Sequence, residues 1–348
     1  MKTIALDVHS EWSQLTAISE ETGELLLELK VPTRAEDLRH VISGIPGRKR
    51  VIFEEGPMSG MLLDALQGVA DEVISSDPTQ NVLIATAEHS NDRLDSKRLA
   101  VLYRAGAIRS VYVPPEPFRT LRALTSYDVS VQQAITKVKN QIKATCRRQG
   151  VRFRGIRVYG GAHREEAIEL MPNAAAKWQL SSLYRRLDAL RLERVGARRI
   201  LLRQAKAIGV IEKLRTIPGV GPIVALVLVA WIVEPLRFKS RRAISAYAGL
   251  GLGQGITNWQ PTGRARASRR GQRQLKRVLF LAARAAIRTK DSALARRYRA
   301  RLASGWEDRK AIRDVARCIL FIARALWIMG KEYDDALVRV PQTSSGAR

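Results

Sequence analysis

Over the first eighty residues the apolar positions come in short runs. TIALDVH, WSQLTAIS and LLLELKVP have the β-branched and alternating apolar content of a strand meander, with the polar turn EETGE before the third run. Residues 35–43 switch to helical spacing. RVIFEE is a fourth apolar strand, GMLLDALQGVA a helix, and EVISSDP a fifth strand ending at a proline. Three consecutive strands followed by alternating helices and strands predict an α/β layer.

From about Glu116 to Lys206 the strand signal almost vanishes. RTLRALTSYDVSVQQAITKVKNQIKATCRRQG and AAAKWQLSSLYRRLDALRLERVGARRILLRQAKAIG repeat apolar residues three and four apart, which predicts long helices forming an antiparallel hairpin or coiled coil open to dimerisation. An ordinary helical spacer reads the same way. Next, KLRTIPGVGPIVALVLVA places a PGVG turn between two helical patterns, as in a helix-hairpin-helix. There Gly219 and Gly221 would let backbone amides approach a phosphate. A tight turn between packed helices is the alternative. PIVALVLVAWIV is too short for a bilayer and predicts a buried helix. The next segment, through LKRVLFLAARAA, combines an Arg-rich loop with a helix.

Charge changes the picture most. The chain has 348 residues and a formal net charge of +27. Its first hundred residues carry 10 Lys and Arg against 17 Asp and Glu, so the excess lies entirely in the remainder. Between Arg264 and Arg317 there are 18 basic and 4 acidic residues. Lys and Arg in this excess suit a polyanion, because each phosphate contact releases counterions. Nucleic acid is the expected partner, with Arg264, Arg266, Arg269, Arg270, Arg273 and Lys276 as phosphate contacts. Cys146 and Cys318 stand far apart without metal-ligand spacing, which excludes a disulfide framework or zinc site and fits a reducing cytoplasm. The chain opens on a strand pattern rather than a leader, and no membrane partner is expected.

The acidic segment carries the candidate chemistry: Asp7 in IALDVHS, Glu54 in RVIFEEGP, Asp92 and Asp95 in NDRLDSKRLA. Cleaving a phosphodiester with two metals needs several hard oxygen ligands, and four carboxylates suit Mg²⁺ or Mn²⁺. Asp7 and Glu54 end neighbouring strands, and Asp92 and Asp95 are three apart on one helix face. Strands followed by alternating elements, with carboxylates at strand ends, match the ribonuclease-H-like plan. Glu55 competes with Glu54, because alternation along Val51, Ile52 and Phe53 does not decide between them. His9 lies two residues from Asp7 and could approach a metal or phosphate.

LDVH, EEGP, NDRLDSKRLA, IPGVGPIVA, RFKSRRAISAYAGLG and SRRGQRQLKRVLFLAA together resemble, in order and over most of the chain, the DEDD insertion-sequence transposases of the IS110/IS116/IS902 type, with their pilin-gene invertase relatives. The resemblance implies a ribonuclease-H-like (RuvC-type) domain over 1–115, a helical coiled-coil connector over 116–206, a helical C-terminal transposase domain over 207–335, and a flexible tail, 336–348. It implies Asp7, Glu54, Asp92 and Asp95 as metal ligands, a hydroxyl nucleophile from the C-terminal domain, a homo-oligomer (dimer or tetramer), DNA cut and rejoined through a covalent link, and in several members a structured guide RNA encoded near the gene.

The nucleophile departs from the pattern. Where the family carries serine, the segment reads GLGQGITNWQPTGRARASRRG. Counting back from SRRG gives Thr257, with Thr262 second; Ser268 is too close to the basic helix. A threonine hydroxyl can attack phosphorus, although its methyl crowds the approach. The expectation is therefore a DNA recombinase, with two rivals: a RuvC-like hydrolytic junction nuclease using water, and a catalytically silent nucleic-acid-binding protein.

Overall fold

The computed structural model describes residues 1–78, 92–152, 155–206, 208–257, 260–267, 271–289 and 291–341. It divides into two compact units, Met1–Glu116 and Pro117–Arg348.

The first unit is a six-stranded sheet with helices on both faces. Strands β1 (Lys2–Val8), β2 (Trp12–Ser19) and β3 (Leu25–Pro32) form the meander, α1 covers Ala35–Gly44, and β4 (Lys49–Glu54) returns parallel to β1. Helix α2 (Ser59–Leu66), β5 (Glu72–Ser76), α3 (Asp92–Arg104) and a short sixth strand, β6 (Ser110–Val111), complete it in the order β3-β2-β1-β4-β5-β6. The α2 pattern runs on in sequence to Ala70, but the helix stops at Leu66: Gln67 is extended and Gly68 takes φ +88. Side chains alternate across the sheet. Ile4, Leu6, Val51 and Phe53 join α1 and α2 in one core, while Ala5, Ile18, Ile52 and Ile74 meet Leu99 and Ala100 of α3 on the other face.

The second unit is helical apart from one hairpin. Helices α4 (Phe118–Arg148) and α6 (Ala174–Lys206) pack antiparallel, with the short α5 (Gly161–Glu169) between them in sequence. Leu121, Asp128, Ile135 and Ile142 repeat every seven residues along the buried stripe of α4. The middle of the pair has its own core, Val131 to Ile142 against Leu180, Tyr184 and Leu187. The ends of the pair, Leu121, Leu201 and Ala205, enter a second core shared with α7 (Val210–Arg215), α8 (Pro222–Ile232), α9 (Arg241–Tyr247), α10 (Arg273–Ala286), α11 (Ala293–Ala303) and α12 (Asp308–Met329). The connector is thus part of the same compact unit as the C-terminal helices. The wholly apolar α8 is buried along most of its length.

Asp128 is a charge in an apolar stripe. Its side chain is 6% exposed and accepts from Arg194 Nε at 3.0 Å and Arg198 Nε at 2.9 Å. Burial pushes its carboxyl up, but the bonds from Arg198 and Arg194 outweigh burial and hold it below the usual range. A lowered folded-state value contributes stability above the ordinary Asp value of about 3.9, lost as pH falls below it. Asp128→Ala leaves two guanidiniums that water still reaches, so we expect a loss of about 1–3 kcal/mol rather than the larger cost of a fully buried pair. Urea unfolding at pH 7 and pH 3 checks both statements: the gap between wild type and variant should shrink at pH 3.

Two readings are corrected here. The Arg-rich loop is a β-hairpin, β7 (Leu252–Thr257) with β8 (Gln260–Ala267), where glycines and Pro261 conceal the strand signal. Residues 336–341 are not a free tail: Asp335–Leu337 form a 3₁₀ turn, Asp335 accepts from Ala293 N at 2.7 Å, and Arg339 O accepts from Arg297 Nη1 at 2.6 Å. The rest of the tail, 342–348, lies outside the described residues.

Candidate active site and nucleic-acid interface

Asp7 follows Leu6 on β1, and Glu54 follows Phe53 on β4, one step beyond the Leu6–Phe53 pair of parallel neighbours. Both have the parity of Ala5 and Ile52, the residues that meet α3. Register therefore favours Glu54 over Glu55: Glu54 is the last strand residue, opposite Ser76 of β5, and Glu55 lies beyond the strand. Asp7 is half-buried, and its Oδ2 lies 3.2 Å from His9 Nε2.

The direction of α3 follows from its contacts. Ser96 Oγ lies 2.7 Å from Thr16 Oγ1, while Arg104 donates to the carbonyls of Glu20 and Glu21, both at 3.0 Å. Helix α3 therefore runs along β2 in the same direction. Its first turn, from Asp92 to Asp95, lies toward the end of the sheet that carries Asp7, which pairs with Gln14 of β2. Asp95 is half-buried and accepts from Arg98 Nη1 at 3.2 Å. Asp92 opens the helix. Three carboxylates on two strands and a helix thus share one end of one sheet face, with Asp92 a turn away in sequence. These are hard oxygen donors, the chemistry Mg²⁺ or Mn²⁺ takes. Among the described residues no three His, Cys, Asp or Glu side chains form a ready cluster for a metal. Mg²⁺ commonly needs only one or two carboxylates, with substrate phosphates completing its shell, so this open donor set fits such an ion.

The second unit holds the basic residues and the candidate nucleophile. Thr257 ends β7 and pairs with Gln260; Thr262 pairs with Gly255. The hairpin is anchored at its base by backbone contact. Gly271 (φ +105) sits so close to Gly249 that a Cβ would lie 2.5 Å from its N, and Gln272 N donates to Tyr247 O at 2.8 Å. Arg264 and Arg266 occupy alternate positions on β8, while Ser268, Arg269 and Arg270 lie outside the described residues.

Gly219 has a packing reason rather than a phosphate-binding one. At φ +83, its Cβ would meet Ala282 O at 2.2 Å and Ala286 N at 2.7 Å, both in α10. Gly221 is exposed, with open space beside it, and caps the N-terminus of α8.

The basic stripe also divides. Arg297 and Arg301 hold Asp314, and Arg296 holds Asp335, so these three join helices to their neighbours. Outside the stripe, Arg122 and Arg237 donate to carbonyls at the C-terminal end of α8, and Arg324 to those of Pro235 and Phe238. On α10, Leu275, Leu279, Ala282 and Ala286 are buried, while Arg273 and Arg284 are exposed and Arg277 is half-buried; Arg288, in the turn just beyond the helix, is exposed. Arg277, Arg284 and Arg288 extend the predicted Arg273 and Lys276; their spacing of four, seven and four residues was the sequence signal for this face. Neutralising Arg273, Arg277, Arg284 and Arg288 one at a time is expected to lower the salt slope of duplex binding by about one each, uniformly across DNA sequences. Filter binding across a salt series reads this; unchanged slopes would remove α10 from the interface.

Two family models match the chain. The model of the Transposase IS116/IS110/IS902 family covers residues 211–299, and the DEDD transposase model of the IS110 type covers residues 4–148. No curated protein matches it. The α/β unit with its strand-end carboxylates and the helical unit with its basic face are those of a DNA transposase, an enzyme that cuts and rejoins DNA. The chain belongs to the IS116/IS110/IS902 family of insertion-sequence transposases. Among the described residues, no helix is long and apolar enough to cross a membrane.

Proposed function

We propose that this transposase recombines DNA by metal-dependent phosphoryl transfer, with Asp7, Glu54, Asp92 and Asp95 as metal ligands and Thr257 as the attacking hydroxyl. The observation that carries this reading is the convergence of Asp7, Glu54 and the first turn of α3 on one end of one sheet face. The order β3-β2-β1-β4-β5, antiparallel then parallel, supports a ribonuclease-H-like domain. A bound divalent cation supplies charge neutralisation at the scissile phosphate and acidifies the attacking oxygen. His9 orients the Asp7 carboxylate, and Arg98 does the same for Asp95. The exposed guanidiniums of α10 hold the strand backbone, and the clamp of Gly249 and Gly271 fixes the base of the hairpin that presents Thr257.

The guide RNA and the homo-oligomer rest on the family resemblance; the long α4–α6 pair is the element we assign to self-association. Threonine in place of serine favours one second reading, a hydrolytic junction nuclease that uses the same carboxylates with water. Cleavage of end-labelled junction DNA with Mg²⁺, with Mn²⁺ and with chelator tests the metal assignment. Activity in both metals and none in chelator is expected; full activity in chelator would overturn it.

A further inference from the structure

The C-terminal helices line a second site, which shares no residue with the hairpin or the carboxylates. A cavity of about 500 Å³ opens between α12, the segment Lys331–Arg339 and the start of α9. Its apolar walls include Phe321, Met329 and Leu337, and Arg241 and Arg317 are among the cations that line it. The two guanidiniums lie 5.7 and 5.8 Å from the centre of the Phe321 ring. Arg317 Nε is buried without a hydrogen-bond partner. A buried cationic donor left in this way calls for an acceptor, and a guanidinium takes phosphate oxygens in its planar fork. An aromatic face beside it suits a base, because stacking accepts any base. The volume is that of a small-ligand site. Asp314, Glu332 and Asp334 also line the cavity; Asp314 is already held by Arg297 and Arg301, and Asp334 caps Ala336 N at 2.9 Å.

We infer that this cavity binds a nucleoside monophosphate, its base against Phe321 and its phosphate on Arg317 and Arg241. The ligand is a free nucleotide or an unpaired unit of a strand. The inference stands on the cavity's own chemistry and does not need the cleavage mechanism above.

Isothermal titration of the full chain with dTMP, deoxyribose 5′-phosphate, inorganic phosphate and a thymidine trinucleotide tests it. We expect dTMP to bind at least tenfold tighter than the sugar phosphate or phosphate. Phe321→Leu should bring dTMP down to the sugar-phosphate level, and Arg317→Met should weaken dTMP and sugar phosphate alike by at least tenfold. A trinucleotide at least tenfold tighter than dTMP identifies a strand as the source, and one no tighter identifies a free nucleotide. Equal affinity for dTMP and phosphate, no binding of dTMP, or unchanged dTMP affinity in both variants overturns the site. If circular dichroism shows that either α12 variant fails to fold, exposed Arg241→Gln carries the test, with the same tenfold loss expected. Duplex binding is read separately in the same preparation; its failure counts against the transposase mechanism and leaves the cavity standing.

Discussion

Asp7→Ala is expected to lower DNA strand cleavage by about 10³-fold while leaving duplex affinity within about twofold. Removing a carboxylate that anchors a catalytic cation forfeits several kcal/mol of transition-state stabilisation, and each 1.36 kcal/mol is a factor of ten in rate. Duplex binding is assigned to the second unit, where Arg273 and Arg284 are exposed on α10 and Arg288 just beyond its end. Asp7 is half-buried at the end of β1, beside His9, so alanine removes a polar group there without opening a core cavity. Single-turnover cleavage and filter binding on the same preparation read the two effects. Equal loss of both would mean that Asp7 supports the fold instead.

Gly219→Ala is expected to produce a large stability loss in the second unit. The new Cβ would lie 2.2 Å from Ala282 O and 2.7 Å from Ala286 N, both backbone atoms of α10 at residues that are themselves buried in the core. Left-handed backbone costs alanine about 1–2 kcal/mol and overpacking about 1–3 kcal/mol, together about 2–5 kcal/mol. Gly221→Ala, with open space at its Cβ and φ −80, should lie within about 1 kcal/mol of wild type. Thermal unfolding of the pair checks the contrast. Similar melting of both variants would show that the PGVG turn is not held against α10.

Much of this was legible in the sequence. The strand meander and the returning parallel strands follow from short apolar runs, and the two long helices from apolar residues three and four apart. The choice between Glu54 and Glu55 was not, because Val51, Ile52 and Phe53 are all buried: β4 has a core on each face, so its sequence shows no alternation. Only register with β1 and β5 separates the two. The hairpin carrying Thr257 looks like a loop in sequence, since its strands are rich in glycine and its base is fixed by a backbone approach between Gly249 and Gly271, 22 positions apart. Gly219 looks like a phosphate contact in sequence because its neighbour in the fold, α10, lies some sixty residues later. Nor does composition show which arginines face solvent. Arg122, Arg237 and Arg324 look like phosphate contacts in sequence and serve as caps for backbone carbonyls in the fold.

The central claim is that a threonine hydroxyl on the β7–β8 hairpin attacks the DNA. Its most direct measurement is denaturing electrophoresis of end-labelled junction DNA incubated with Mg²⁺, RNA transcribed from the sequence beside the gene and the protein, as wild type, Thr257→Ala and Thr257→Ser. A protein–DNA adduct is expected in the wild type, lost in Thr257→Ala and restored in Thr257→Ser. Cleaved DNA without an adduct in any of the three would contradict it and make water the nucleophile.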